Sequence, residues 1–158
     1  MPAVVAGGIA KPEMPVVVRP YAVKSDTSTR TTSKSYVAMG GMSITVEPEV
    51  TCDAIVMFSG VCQQYSELKG YVTMGIALYL DGVRRAETLL SPYATLVKEG
   101  DRYYPLVSRT NATLITAFKN LSAGAHTFQM YFRGASDVAG SSGLAFEERA
   151  MQVVLFYR

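Results

Sequence analysis

The sequence predicts an all-β protein, an antiparallel β-sandwich of the jelly-roll kind preceded by an extended N-terminal arm. In nearly every segment after Ser35, apolar residues recur at every second position, which is the period of a β-strand. Gly, Pro, Asn and Ser separate these segments, and none of the segments keeps the period of a helix. Because 158 residues suit one domain, we divide the chain into an arm, Met1–Ser35, and one sandwich, Tyr36–Arg158.

The arm is distinguished by its prolines and its charge. It holds four of the seven prolines and then a polar run, Lys24–Ser35. Proline fixes φ and lacks an N–H, which excludes this segment from helix interiors and central strands. The net charge of the arm is +3, against −1 for the rest of the chain. A solvated leader is one interpretation, but the apolar groups favour docking onto a neighbour. The predicted attachment residues are Val16, Val17, Val18, Arg19 and Tyr21.

The sandwich is predicted to contain about eight short strands. Tyr71–Leu80 and His126–Arg133 each place large apolar residues on one face, and Asp81-Gly82 predicts a two-residue hairpin. Ala54–Phe58 and Met151–Tyr157 are apolar on both faces and therefore need cover on both sides. The other predicted strands are Tyr36–Met39, Ser43–Val46, Val83–Leu90, Tyr103–Val107 and Thr113–Leu121.

The two cysteines predict free thiols. If Cys52 and Cys62 share one extended strand, the steps between them span ~33 Å. A disulfide requires a Cα separation of roughly 4.4–6.8 Å. A turn between Cys52 and Cys62 would bring the two residues closer and make a disulfide possible.

Composition excludes several classes of protein. A net charge of +2 is too small for a nucleic-acid-binding protein, and no apolar run reaches the length of a membrane span. The first residues lack the basic start of a secretory signal, so we expect a chain that folds without export. Charged residues make up 18% of the chain, below the roughly 25% of an average domain, which suggests that a partner covers part of the surface.

No pattern predicts catalysis, a metal or a cofactor. The single histidine, His126, is expected to be half-buried and structural. A hydrolase would need that histidine beside a nucleophile on a strained turn, yet Gly-x-Ser-x-Gly is absent. The adjacent Glu147 and Glu148 would point to opposite faces of a strand and so could not act as a carboxylate pair. Nucleotide-binding glycine motifs are absent as well.

The ten tyrosines are the most informative residue type. Tyr71, Tyr79 and Tyr131 fall on the face opposite the predicted core. Such rings suit an oligomer interface, to which we also assign Val154 and Phe156 on the last strand. A carbohydrate site is the alternative, although the chain has no tryptophan for stacking on a sugar.

The C-terminal half resembles a known family. The stretches Asn120–Phe132 and Arg149–Tyr157, together with the pattern Leu-x-x-Gly-x-His-Thr over Leu121–Thr127, resemble the closing hairpin of C1q/TNF-like jelly rolls of tailed-phage structural proteins. Ile76–Gly82 fits the same order of segments, and the resemblance covers roughly Tyr36–Arg158.

The resemblance implies a non-enzymatic homotrimer that forms part of a virion. Its partners would be a major capsid or tail protein, and the short arm favours a capsid decoration protein over the tip of a long tail fibre. A carbohydrate-binding adhesin that recognises a host surface glycan is the alternative, and a hydrolase comes third. No nucleic acid, membrane or cofactor is expected.

Overall fold

The computed structural model describes residues 16–66, 74–90, 97–99, 102–104, 108–134 and 142–158. Over these residues the chain is all-β and forms two antiparallel sheets that pack into a sandwich. The strands are β1 (Val17–Ser25), β2 (Thr29–Thr31), β3 (Val37–Val46), β4 (Cys52–Ser66), β5 (Met74–Leu80), β6 (Val83–Leu90), β7 (Val97–Glu99), β8 (Arg102–Tyr104), β9 (Ser108–Leu121), β10 (His126–Gly134) and β11 (Ser142–Tyr157).

The topology is that of a jelly roll. The five-stranded sheet has the order β1-β11-β4-β9, with β2 also paired to β11, and the four-stranded sheet has the order β3-β10-β5-β6. From β3 onward the chain repeatedly crosses between these sheets, whereas β5 and β6 form a hairpin within one sheet. Such crossings bring strands that are distant in sequence side by side. The short β7 and β8 pair with each other.

The core lies between the two sheets, and its centre is aromatic. Phe58 and Phe132 each contact Phe146 edge to face, with ring centroids 5.8 and 6.1 Å apart. Phe128, Met130 and their neighbours supply the facing layer from the four-stranded sheet. The predicted alternation of β10 is therefore confirmed.

Two predicted short strands are one strand with an irregularity. Tyr36–Met39 and Ser43–Val46 are joined in β3, and the register between β3 and β10 shifts beside Gln129. Gly41 adopts a φ of +73°, which glycine tolerates. The Gln129 Nε2 lies 3.1 Å from the carbonyl oxygens of Met39 and Met42 and donates hydrogen bonds at this irregularity.

The predicted hairpin at Asp81-Gly82 is confirmed. Asp81 has a φ of 51° and Gly82 a φ of 78°, so both central residues adopt the positive φ of a type I′ turn. The continuous strand from Cys52 to Cys62 is confirmed too, because both residues lie in β4 as buried cysteines that no disulfide links.

The predicted boundary between arm and sandwich needs correction. β1 pairs with β11 from Val17 to Ser25, and β2 pairs with the same strand, so both belong to the sandwich and not to a separate arm. Pro20 fits because β1 is an edge strand, whose outer side needs no N–H. A sandwich domain that began at Tyr36 would lack both β1 and β2.

Arg149 attaches this N-terminal region to the rest of the fold. Its side chain is buried, and its Nη2 donates a hydrogen bond to the Gly40 carbonyl at 2.7 Å. Its Nη1 donates to the Thr27 carbonyl. Burial lowers the pKa of the guanidinium from its usual value. Arg149 therefore connects the segment between β1 and β2 with β3.

Candidate interaction surfaces

The outer side of the five-stranded sheet carries a surface that we call the apolar face. Its members lie opposite one another across neighbouring strands. One row pairs Pro20 with Val154, Val154 with Ile55, and Ile55 with Ala117. A second row pairs Met57 with Ile115, and a third pairs Val18 with Phe156. The members of the apolar face are Val16, Val18, Pro20, Ile55, Met57, Ile115, Ala117, Val154 and Phe156.

The apolar face is open to solvent in the single chain. Ile115 is 71% exposed, Val16 54% and Val18 50%. An open groove of about 330 Å³ runs between Val16, Ala117 and Phe156. Charges stand at its rim, where Arg158 pairs with Asp53 at 2.7 Å. An apolar centre with a charged rim is the usual anatomy of a protein interface.

The predicted attachment residues have different surroundings. Val16 and Val18 belong to the apolar face, whereas Tyr21 packs against the core. Arg19 lies over the Tyr157 ring at 5.3 Å from its centroid, and Val17 is 52% exposed. The Tyr21 ring is thus engaged within its own chain. Attachment through the other four residues stays a prediction.

Two of the three predicted interface tyrosines lie on the opposite side of the sandwich. Tyr79 on β5 and Tyr131 on β10 stack on the outer side of the four-stranded sheet, with ring centroids 4.0 Å apart. Tyr71 lies outside the described residues. Val154 and Phe156 are on the five-stranded sheet. The structure therefore divides the predicted interface residues between two faces.

A further cluster beside the stacked tyrosines was not predicted. The Tyr36 hydroxyl donates to Glu87 Oε2 at 3.2 Å, and Arg84 donates to the same oxygen at 3.0 Å. The Arg133 guanidinium lies 4.8 Å from the Tyr36 ring centroid. Burial raises the pKa of Tyr36 above its usual value. We call Tyr36, Tyr79, Arg84, Glu87, Tyr131 and Arg133 the tyrosine face.

One sequence signal could have revealed this cluster. Gly75 interrupts an otherwise apolar strand, and a Cβ at this position would stand 2.7 Å from the Tyr36 hydroxyl. The absent side chain makes room for the ring.

His126 connects two turns. Its Nδ1 lies 2.7 Å from Asp81 Oδ2, and its Nε2 lies 3.2 Å from Ser122 Oγ and 3.0 Å from the Ser122 carbonyl oxygen. Asp81 also accepts a hydrogen bond from the Thr127 N–H, and these hydrogen bonds lower the pKa of its carboxyl although burial opposes them. Serine hydrolases also link a Ser, a His and an Asp side chain by hydrogen bonds. Here, however, His126 Nε2, the atom that would have to act as the base, also contacts the Ser122 carbonyl oxygen.

The described residues contain no cluster suited to a metal ion and no helix suited to a membrane span. No group of three or more His, Cys, Asp or Glu residues there could hold a metal ion. That part of the chain also has no helix long and apolar enough to cross a membrane.

A comparison with protein families finds no match, and a comparison with curated proteins finds none either. Solved structures do show similarity. Latent PorU from Porphyromonas gingivalis aligns with 95% of this chain at 10% identity and a TM-score of 0.48. The Gx strain structure of infectious bursal disease virus aligns with 100% at 12% identity and 0.36. The delta-endotoxin Cry8Ea1 from Bacillus thuringiensis aligns with 82% at 15% identity and 0.33.

This chain spans 14%, 42% and 19% of those three chains, respectively. Other similar structures also come from particles of infectious bursal disease virus. All of these TM-scores lie below 0.5.

Proposed function

We propose that the chain is a non-enzymatic structural protein of a virion, a capsid decoration protein or a tail or fibre appendage, that assembles as a homotrimer. The observation that carries the assembly is the apolar face. On four neighbouring strands this surface exposes Val18 and Ile115, and it leaves Ile55, Met57, Val154 and Phe156 partly exposed in the single chain. The virion role is supported by the jelly-roll topology and by the resemblance of Asn120–Phe132 and Arg149–Tyr157 to phage structural proteins.

The size of the apolar face fits an assembly surface. Its nine positions, each taking about 4.8 Å across the strands and about 6.8 Å along them, cover roughly 300 Å² in projection. The largest apolar patch of a monomer is about 300–600 Å² and often functional. A standard interface takes roughly 800 Å² from each partner, so rim residues such as Asp53 and Arg158 would supply the remainder.

The test is a charge at the centre of the apolar face. Ile115→Asp should dissociate the trimer, because an unpaired charge buried in an interface costs several kcal/mol. Ile115 is 71% exposed in the single chain, so the fold should survive the substitution. Val83→Asp is the matched control, since Val83 is 53% exposed on the hairpin of the other sheet.

Light scattering coupled to size exclusion measures the mass of each variant. We expect a trimer for the unchanged protein and for Val83→Asp, and a monomer for Ile115→Asp. A monomeric unchanged protein at micromolar concentration would refute the proposed assembly. Co-sedimentation of the protein with virus particles that lack it then tests the virion role, and absence of binding would contradict that role.

A further inference from the structure

The tyrosine face lies on the side of the sandwich that the proposed trimer contact leaves uncovered. Its side chains project from β5, β6 and β10 and from Tyr36, just before β3. Strands hold side chains more rigidly than loops do, so this surface is preorganised for contact. It combines aromatic rings with charged groups.

The rings supply a platform. Tyr79 and Tyr131 stack at 4.0 Å between centroids with an interplanar angle of 29°, and both remain partly exposed. Tyr36 lies farther along the sheet, held through its hydroxyl by Glu87. Tyrosine rings offer apolar area for the C–H face of a sugar, and hydroxyl groups for hydrogen bonds to its hydroxyls.

The charges of this face are unbalanced. Among the described residues of this face, Arg84 and Arg133 stand against a single carboxylate, Glu87, which already pairs with Arg84 at 3.0 Å. Arg133 is half-buried, its Nε is buried without a hydrogen-bond partner, and its guanidinium lies over Tyr36. The planar N–H donors of a guanidinium match the two oxygens of a carboxylate.

We propose that the tyrosine face binds an acidic glycan, with a sugar ring against Tyr79 and Tyr131 and the sugar carboxylate on Arg133. Tyr131 and Arg133 are two residues apart on β10, about 7 Å along the strand. This spacing suits a carboxylate on the sugar next to the one that contacts the tyrosines, because a carboxylate lies much closer than this to the centre of its own ring. The excess positive charge complements the ligand.

The experiment uses the full-length protein on an array of oligosaccharides that contain galacturonate, glucuronate or N-acetylneuraminate. Each is printed beside its methyl ester, which keeps the sugar and removes the charge. We expect binding to at least one acid form and at least tenfold weaker binding to its ester. Equal binding of acid and ester, or binding to none of the acids, would overturn the proposal.

Variants locate the site. Tyr131→Ala and Arg133→Gln should each weaken binding at least tenfold, and Arg133→Lys, which keeps the charge but loses the fork, should fall in between. Lys24→Gln is the control, because it removes one positive charge from an exposed side chain on the other sheet and should change nothing.

Each variant is first shown to keep the mass and melting temperature of the unchanged protein. Unchanged binding by a folded Arg133→Gln would overturn the assignment. Polyglutamate of matched charge is the final comparison. If it binds as tightly as the glycan, the surface recognises acidic polymers in general and the glycan proposal is wrong.

Discussion

Gly134 lies where the end of β10 meets the five-stranded sheet, and it has no room for a side chain. A Cβ at this position would stand 2.7 Å from the Thr31 carbonyl oxygen, 2.9 Å from the Leu144 nitrogen and 3.0 Å from the Gly143 Cα. All three are backbone atoms, so no rotamer change can relieve the contact. Gly134→Ala must displace the paired backbone of β2 and β11, with Thr31 opposite Leu144.

The expected cost follows from the displacement. Restoring an ordinary contact of about 3.4 Å moves the carbonyl by about 0.7 Å, and overpacking of this kind costs about 1–3 kcal/mol. For a domain of 158 residues, about 2 kcal/mol lowers the melting temperature by about 4–8 °C. Gly40→Ala is the matched control, because a Cβ there meets nothing within 4 Å and Gly40 lacks a positive φ.

Scanning calorimetry at one protein concentration compares the two alanine variants, since assembly makes the midpoint depend on concentration. Equal melting temperatures for Gly134→Ala and Gly40→Ala would refute the crowding at Gly134.

Three other predictions concern Gln129, Asp81 and the two cysteines. Gln129→Leu should lower the free energy of unfolding in urea by about 1–3 kcal/mol, because it leaves the Met39 and Met42 carbonyls without their donor; an unchanged midpoint would contradict this. The Asp81 carboxyl has a lowered pKa in the fold, so its stabilising effect should be present above its unfolded pKa and fade as the pH falls through the folded value. Asp81→Asn should flatten that acid-side loss in melting temperature, and an identical pH profile would count against it. Finally, Cys52 and Cys62 should both be alkylated after denaturation without reductant, and mass spectrometry that finds them linked would disprove the free thiols.

The strands were predictable wherever one face of a segment is apolar and the other is not. The alternation in β10 and the turn at Asp81-Gly82 both depend on neighbouring residues, and the structure confirms both. Ala54–Phe58 was predicted as a strand because both of its faces are apolar, and in the structure it lies within β4, which runs through Cys52 and Cys62. Local periodicity is sufficient for these elements.

Long-range pairing could not be predicted in this way. The prolines suggested that the first 35 residues stand apart, yet Pro20 only confines β1 to an edge of its own sheet. The irregularity in β3 depends on Gln129, far away in sequence, whose amide meets the carbonyls there. The tyrosine face likewise required Tyr36 to reach Glu87, and the glycine at position 75 makes room for that contact without identifying its partners.

The separation of Val154 and Phe156 from Tyr79 and Tyr131 limits how copies of the chain can associate. In a closed threefold ring each copy is turned by one third of a turn relative to the next, so both contact surfaces of a protomer must face the common axis. Surfaces on opposite sides of one sandwich point away from each other, and contacts between them would extend an open row of copies. A closed trimer can therefore use the apolar face or the tyrosine face, but not both. Ile115 on the apolar face is 71% exposed, whereas Tyr79 and Tyr131 are only partly exposed. We therefore assign assembly to the apolar face. It follows that Ile115→Asp should lower the mass of the protein assembly in solution, while Tyr131→Ala should leave that mass unchanged.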